Sequence, residues 1–142
     1  MGLGATFKEC VDKGIITKTV PDKERARQML QMAQLRQKFW GKKISKEFSV
    51  LKIEAYYEII KELVFASIYK QGYNCTSHLC MVAFVKEKIS DFDFESQKID
   101  ELRKVRNEIS YRGKQISLDY LERNELEFGH IIKRLEKEAE TA

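Results

Sequence analysis

The run from about Ser45 to Tyr69 constrains this chain most. Its apolar residues fall on two adjoining stripes at helical spacing. Phe48, Leu51, Ala55, Ile59, Leu63 and Ala66 make one, and Ile53, Tyr56, Ile60, Val64 and Ile68 the other. A surface helix buries one stripe. Two side by side need cover from several neighbours, so this helix is expected at the centre of a bundle. Little else interrupts helix: one Pro and seven Gly stand among 142 residues, and the glycines cluster at apparent ends and turns. With 43% hydrophobic and 34% charged residues, the chain suits one globular domain with a real core and does not suit disorder.

The flanking segments read as shorter helices. Thr6 to about Asp12 forms one, ended by Gly14. The β-branched stretch ITKTV before Pro21 reads as an extended connector. Residues 1–20 are thus a peripheral N-terminal segment of a single 1–142 domain. Pro21, Asp22 and Glu24 open the next helix, where Met29, Met32, Leu35 or Arg36, and Phe39 recur at core spacing before Gly41. Gly72 closes the central helix, and Gln71 to Thr76 reads as a loop. Ser77 caps a strongly apolar helix that runs to about Ser90. DFDFES follows as an acidic loop pinned by its Phe residues. One helix runs from about Ser96 to Gly113. A last one, capped by Ser117, carries Leu121, Glu125, Phe128, Ile132 and Leu135 before KRLEKEAETA, a charged tail expected to fray. Five main helices with short loops predict an all-α, four- to five-helix up-and-down bundle.

Several classes of function drop out. The most apolar stretch, IIKELVFASIY, contains Lys61 and Glu62 and is too short to span a membrane. The N-terminal Met-Gly-Leu-Gly-Ala-Thr fits the loose myristoylation pattern, which short sequences match by chance. Cys10, Cys75 and Cys80 are odd in number with no secretory signal, which suggests reduced thiols in the cytoplasm. Cys75-x2-His78-x-Cys80 resembles half of a metal site but lacks a second ligand cluster, so no metal is expected; the simpler reading packs Cys80 in a helix behind a loop holding Cys75. The net charge of +4 does not by itself point to nucleic acid.

One segment breaks the pattern. On the helix 96–112, Ile99, Leu102, Arg106 and Ile109 form a core-facing stripe, and a guanidinium stands in it. Such a charge is costly unless it is paired or faces a polar cleft. At ~100° per residue, Arg103, Arg106, Asn107 and Ser110 share a polar patch beside that stripe, with Arg112 and Lys114 adding charge at the helix end. Arg can hold a phosphate in a forked geometry, and Asn and Ser can orient it. The structural alternative pairs Arg106 with Glu54, Glu58 or Glu62 merely to fix helix register.

Arg106-Asn107-x-x-x-Tyr111 followed by Gly113 resembles the Arg-x4–6-His motif of HEPN domains, which is often written with Asn after the Arg. The segment IEAYYEIIKELVFASIYKQGYNCTSHLCMVAFV also looks like the HEPN core: a Tyr-rich helix, a Gly-bearing loop and a His-bearing helix start. The likeness covers roughly residues 25–135. It implies a dimerising helical bundle whose motif forms a metal-independent ribonuclease site without a cofactor, in a family that includes toxins and partners of nucleotidyltransferases. It assigns Arg106, Asn107 and Tyr111 as the catalytic positions; Arg103 and Ser110 of the polar patch and Arg112 and Lys114 at the helix end are the candidate nucleic-acid contacts. Tyr111 stands where the family has His. A His near pKa ~6.5 passes protons at neutral pH, and a Tyr near ~10 is mostly a fixed donor.

Two functions therefore remain open. One is an RNA- or nucleotide-binding protein, an endoribonuclease or toxin component. The other is a non-catalytic homodimeric module that binds a nucleotidyltransferase or antitoxin. The sequence brings neither His78, read as a residue of a helix cap, nor His130, read as an edge residue of the last helix, to Arg106, and either could substitute for the missing His.

Overall fold

The computed structural model describes residues 5–40, 48–112 and 118–140, without the side chains of 110–112 and 118. Over these residues the chain forms six helices and one short ribbon: α1 (Phe7–Asp12), β1 (Ile16–Lys18), α2 (Lys23–Trp40), α3 (Ser49–Lys70), β2 (Tyr73–Cys75), α4 (His78–Lys88), α5 (Asp93–Arg112) and α6 (Leu118–Glu140). This is the all-α bundle expected, with α1 as a short addition. The helix limits assigned to Gly41, Ser45, Gly113 and Ser117 lie outside the described residues.

The central position of α3 follows from its two stripes. It packs against α2, α4, α5 and α6, and twelve of its residues are buried, from Ser49 to Ile68. Only at its beginning does the apolar face reach solvent, at Phe48 and Leu51, 47% and 48% exposed. Ser77 caps α4 as expected, accepting from the Cys80 amide. Asp22 serves the start of α2, its Oδ1 accepting from the Arg25 amide at 3.0 Å.

Four expectations require correction. The Met stripe of α2 faces outward: Met32, Leu35 and Phe39 are exposed, and Ala26 and Ala33 are the buried residues. Two side chains of a single carbon let α2 come close to α3, and the longer residues are left on the outer face. DFDFES is not a loop, because α5 starts at Asp93; Phe92 is fully buried while Phe94 is exposed. The tail remains helical to Glu140, with Leu135 buried. Its last turn is capped by Lys70, whose Nζ donates to the Glu138 and Ala139 carbonyls at 3.0 and 3.4 Å. Within the expected loop 71–76, β2 pairs antiparallel with β1, placing Ile16 opposite Cys75.

The N-terminal segment closes over α4. Cys10 and Cys80 form a disulfide with Cα atoms 5.8 Å apart, where the sequence suggested reduced thiols. Cys10 and Ile16 are buried with the core. No helix of the described residues is long and apolar enough to cross a membrane.

Two glycines behave oppositely. Gly72 has φ +83°, and a Cβ there would sit 2.8 Å from the Thr19 carbonyl oxygen and 3.1 Å from the Pro21 ring. Gly129 lies inside α6, and a Cβ there would meet nothing within 4 Å. Gly72→Ala should cost at least about 1–2 kcal/mol for the left-handed backbone alone. Gly129→Ala should add about 1 kcal/mol through helix propensity. Urea unfolding of the two variants checks both signs.

Candidate functional site

The apolar stripe of α5 docks as expected: Ile99, Leu102 and Ile109 are buried. Arg106 therefore points inward toward α3, with its side chain only 21% exposed. Its guanidinium lies over the ring of Tyr57, 5.3 Å from the centroid, and one nitrogen is 3.5 Å from Glu58 Oε1. Of the three glutamates considered as partners, Glu58 is thus the one met. Glu62 is taken instead by Arg36 at 2.6 Å. Glu58 is also held by Lys61 at 2.7 Å. Arg106 is the more distant claimant on that carboxylate, and a five-donor fork is not used up by one contact of 3.5 Å.

Tyr57 links this arginine to a third helix. Its ring is fully buried, and its hydroxyl shares a 3.0 Å hydrogen bond with His78 Nδ1. Ser77 fixes the first turn of α4, and that turn presents His78 to α3. The residue is exposed overall, so the ring has an inner edge on Tyr57 and an outer edge toward solvent. Partial desolvation lowers the His78 pKa, the Lys61 and Arg106 cations lower it further, and Glu58 opposes them. The imidazole is therefore neutral at pH 7.

The other sequence candidates divide. Arg103 is on the same helix, but its guanidinium is held by Asp100 Oδ1 at 2.9 Å; it still acts on His78 as a cation. Asn107 is half-buried next to Arg106. The side chains of Ser110, Tyr111 and Arg112, and all of Lys114, lie outside the described residues. His130 is elsewhere, 58% exposed and 3.7 Å from Glu95. The sequence thus indicated Arg106, offered Glu58 among its partners and His78 as a substitute for the motif His, and missed Tyr57 and Lys61. A signal was present: a Tyr beside a fully apolar stripe needs a partner for its hydroxyl.

The Cys-His-Cys spacing has a different use. Cys80 is bonded to Cys10, the Cys75 thiol donates to the Ser77 carbonyl at 3.2 Å, and His78 turns to Tyr57. No group of metal-ligating residues occurs among those described. A groove of about 250 Å³ opens on another flank, between α2, α3 and α6, walled by Trp40 and Tyr56 and floored in part by Gly129. It contains none of the sequence candidates and only lysines and Glu136 as charged groups. The convergence at Tyr57 therefore makes the stronger site.

In comparisons with known proteins, no family model, no curated protein and no solved structure matches this chain.

The Arg106 cation should be readable at His78. In wild type the His78 Cε1 proton should titrate below 6.5, and Arg106→Ala should move its midpoint upward. Proton NMR across pH 4–9 measures this; an unmoved midpoint would remove Arg106 from the imidazole's surroundings.

Proposed function

We propose that this chain is a HEPN-like protein that holds RNA or nucleotide phosphate through Arg106 and acts as a metal-independent endoribonuclease of the kind found in toxin systems. The observation that carries the reading is the state of Arg106. It is inward-facing, loosely paired, and set with Lys61 and Arg103 in one cationic cluster around a neutral imidazole. Phosphate binding suits such a fork, because its one ion-pair contact, at 3.5 Å, is long and leaves donors to spare. In this reading Asn107 orients the substrate beside Arg106, and Ser110, Tyr111, Arg112 and Lys114, which follow it in sequence, are further candidate contacts. On this reading the protein needs no cofactor; the Cys10–Cys80 disulfide removes the reduced-thiol basis for a cytoplasmic location.

A second reading has its own support. Met32, Leu35 and Phe39 expose one apolar face of α2 at 45%, 60% and 66%. Three large side chains at helical spacing suit a protein contact. The chain would then be a homodimeric module that engages a nucleotidyltransferase or antitoxin, and the basic end of α5 would serve that partner.

Incubation of purified protein with mixed RNA in chelator separates the two. Wild type should cleave, and Arg106→Ala should lose about 100-fold or more in rate. Cleavage by both proteins alike, or by neither, removes the nuclease reading. If neither cleaves and light scattering shows a dimer that co-purifies with a nucleotidyltransferase, the module reading takes its place.

A further inference from the structure

Arg106 alone can hold a phosphate, but it cannot accept a proton at neutral pH. Three features of the same cluster bear on where a proton would go. The first is convergence: Arg106 from α5 and His78 from α4 rest on one buried side chain, Tyr57, the guanidinium on its face and Nδ1 on its hydroxyl. The second is direction. With Nδ1 engaged, Nε2 lies on the outer edge of an exposed ring and has no hydrogen-bond partner among the described residues. The third is the charge around the ring: Glu58 and Lys61 face it from α3, and Arg103 and Arg106 from α5. Lys61 is paired with Glu58 and Arg103 with Asp100, so Arg106 is the cation of the three with the loosest pairing and the one that favours an anion beside the ring.

We propose that His78, brought from α4 by the Tyr57 hydroxyl, is the proton acceptor of the Arg106 site and takes the role that the α5 motif leaves to Tyr111. The inference rests on the ribonuclease reading given above. The step uses the tautomer in which Nδ1–H donates to the Tyr57 oxygen and the lone pair is on Nε2. An RNA phosphodiester seated on Arg106 offers its neighbouring 2′-hydroxyl to Nε2. The 2′-O–H bond breaks and the proton moves to the imidazole. The O2′–P bond forms and the P–O5′ bond breaks, and the 5′ oxygen takes a proton from water. The products are a 2′,3′-cyclic phosphate and a 5′-hydroxyl, and the imidazolium returns its proton to solvent. Arg106 meets the charge that gathers on the phosphoryl oxygens. Tyr57 is a positioning residue: it touches no substrate and engages Nδ1, so that Nε2 is the nitrogen left to meet one.

Two measurements on the intact protein test the assignment. The first follows the His78 Cε1 proton across pH with and without inorganic phosphate. Phosphate should raise the midpoint in wild type and leave it unmoved in Arg106→Ala. The second measures RNA cleavage in chelator against pH for wild type, His78→Gln, Tyr57→Phe and Arg106→Ala, with circular dichroism to confirm folding. His78→Gln should lower kcat about 100-fold or more at similar KM. The acid limb of the wild-type profile should fall at the His78 midpoint, and Tyr57→Phe should shift both together. If His78→Gln cleaves like wild type with the same pH profile while Arg106→Ala does not, His78 is not the acceptor and the ribonuclease reading stands. If wild type does not cleave, but phosphate moves His78 only when Arg106 is present, the phosphate seat stands and the proton step is overturned. If there is neither cleavage nor a phosphate effect, the reading and the inference fall together.

Discussion

Helix α3 is enclosed by its neighbours, so each polar atom it carries must be satisfied from another helix. An unmet buried donor or acceptor costs the full loss of hydration, which is larger than the net gain of an ordinary hydrogen bond. Four consequences can be traced. The Tyr56 hydroxyl donates to Glu125 on α6 at 2.7 Å. The Tyr57 hydroxyl engages His78 on α4. Glu58 draws Arg106 from α5, and Glu62 draws Arg36 from α2. Each of the four surrounding helices thus has a polar tie to the centre in addition to its apolar packing. Apolar packing alone tolerates sliding by a turn, whereas these ties do not, because a slipped helix would leave a carboxylate or phenol without its partner.

The ties are not equal. Glu62 is the most buried of these carboxylates, and its second oxygen has no hydrogen-bond partner among the described residues. Breaking its pair with Arg36 would strand a buried charge, so this pair acts as a structural pin. Glu58 is half-buried and shared, closer to Lys61 than to Arg106. An anion arriving at Arg106 would not have to displace a buried pair, only supplement a long contact. The same helix therefore carries one arginine partner that fixes structure and another that leaves its guanidinium available. Tyr57 gives the available one a fixed rest, since its ring is fully buried and does not follow the motion of a surface side chain.

Much of this was legible in the chain. The two stripes of α3 predicted its centrality, Ser77 marked the start of α4, and Arg106 stood out because it interrupts Ile99, Leu102 and Ile109. The misses share a cause: they depend on contacts between residues far apart in sequence. His78 looks like a residue of a helix cap until Tyr57, twenty-one positions earlier, supplies a partner. The α2 stripe misled because apolar character was read as burial, while close helix approach favours the smaller Ala26 and Ala33. The charged tail looked prone to fray because composition hides both Leu135 and the Lys70 cap. Cys10 and Cys80 are seventy residues apart, and no local pattern joins them.

The choice between holding a phosphate and cutting beside it turns on one proton. Read along α5 alone, the chain has an arginine, an amide and a phenol. A phenol near pKa ~10 stays protonated at neutral pH and so offers a donor, not a base. That set binds an anion and stops. Read across α3, α4 and α5, the chain adds an imidazole that is neutral at pH 7, anchored by one nitrogen and open at the other. Burial and the neighbouring cations lower its pKa and so favour the neutral form, the form that can accept a proton. In the proposed reading the two tasks are separated: α5 supplies the charge, α4 the proton acceptor, and the buried phenol of α3 sets their relation.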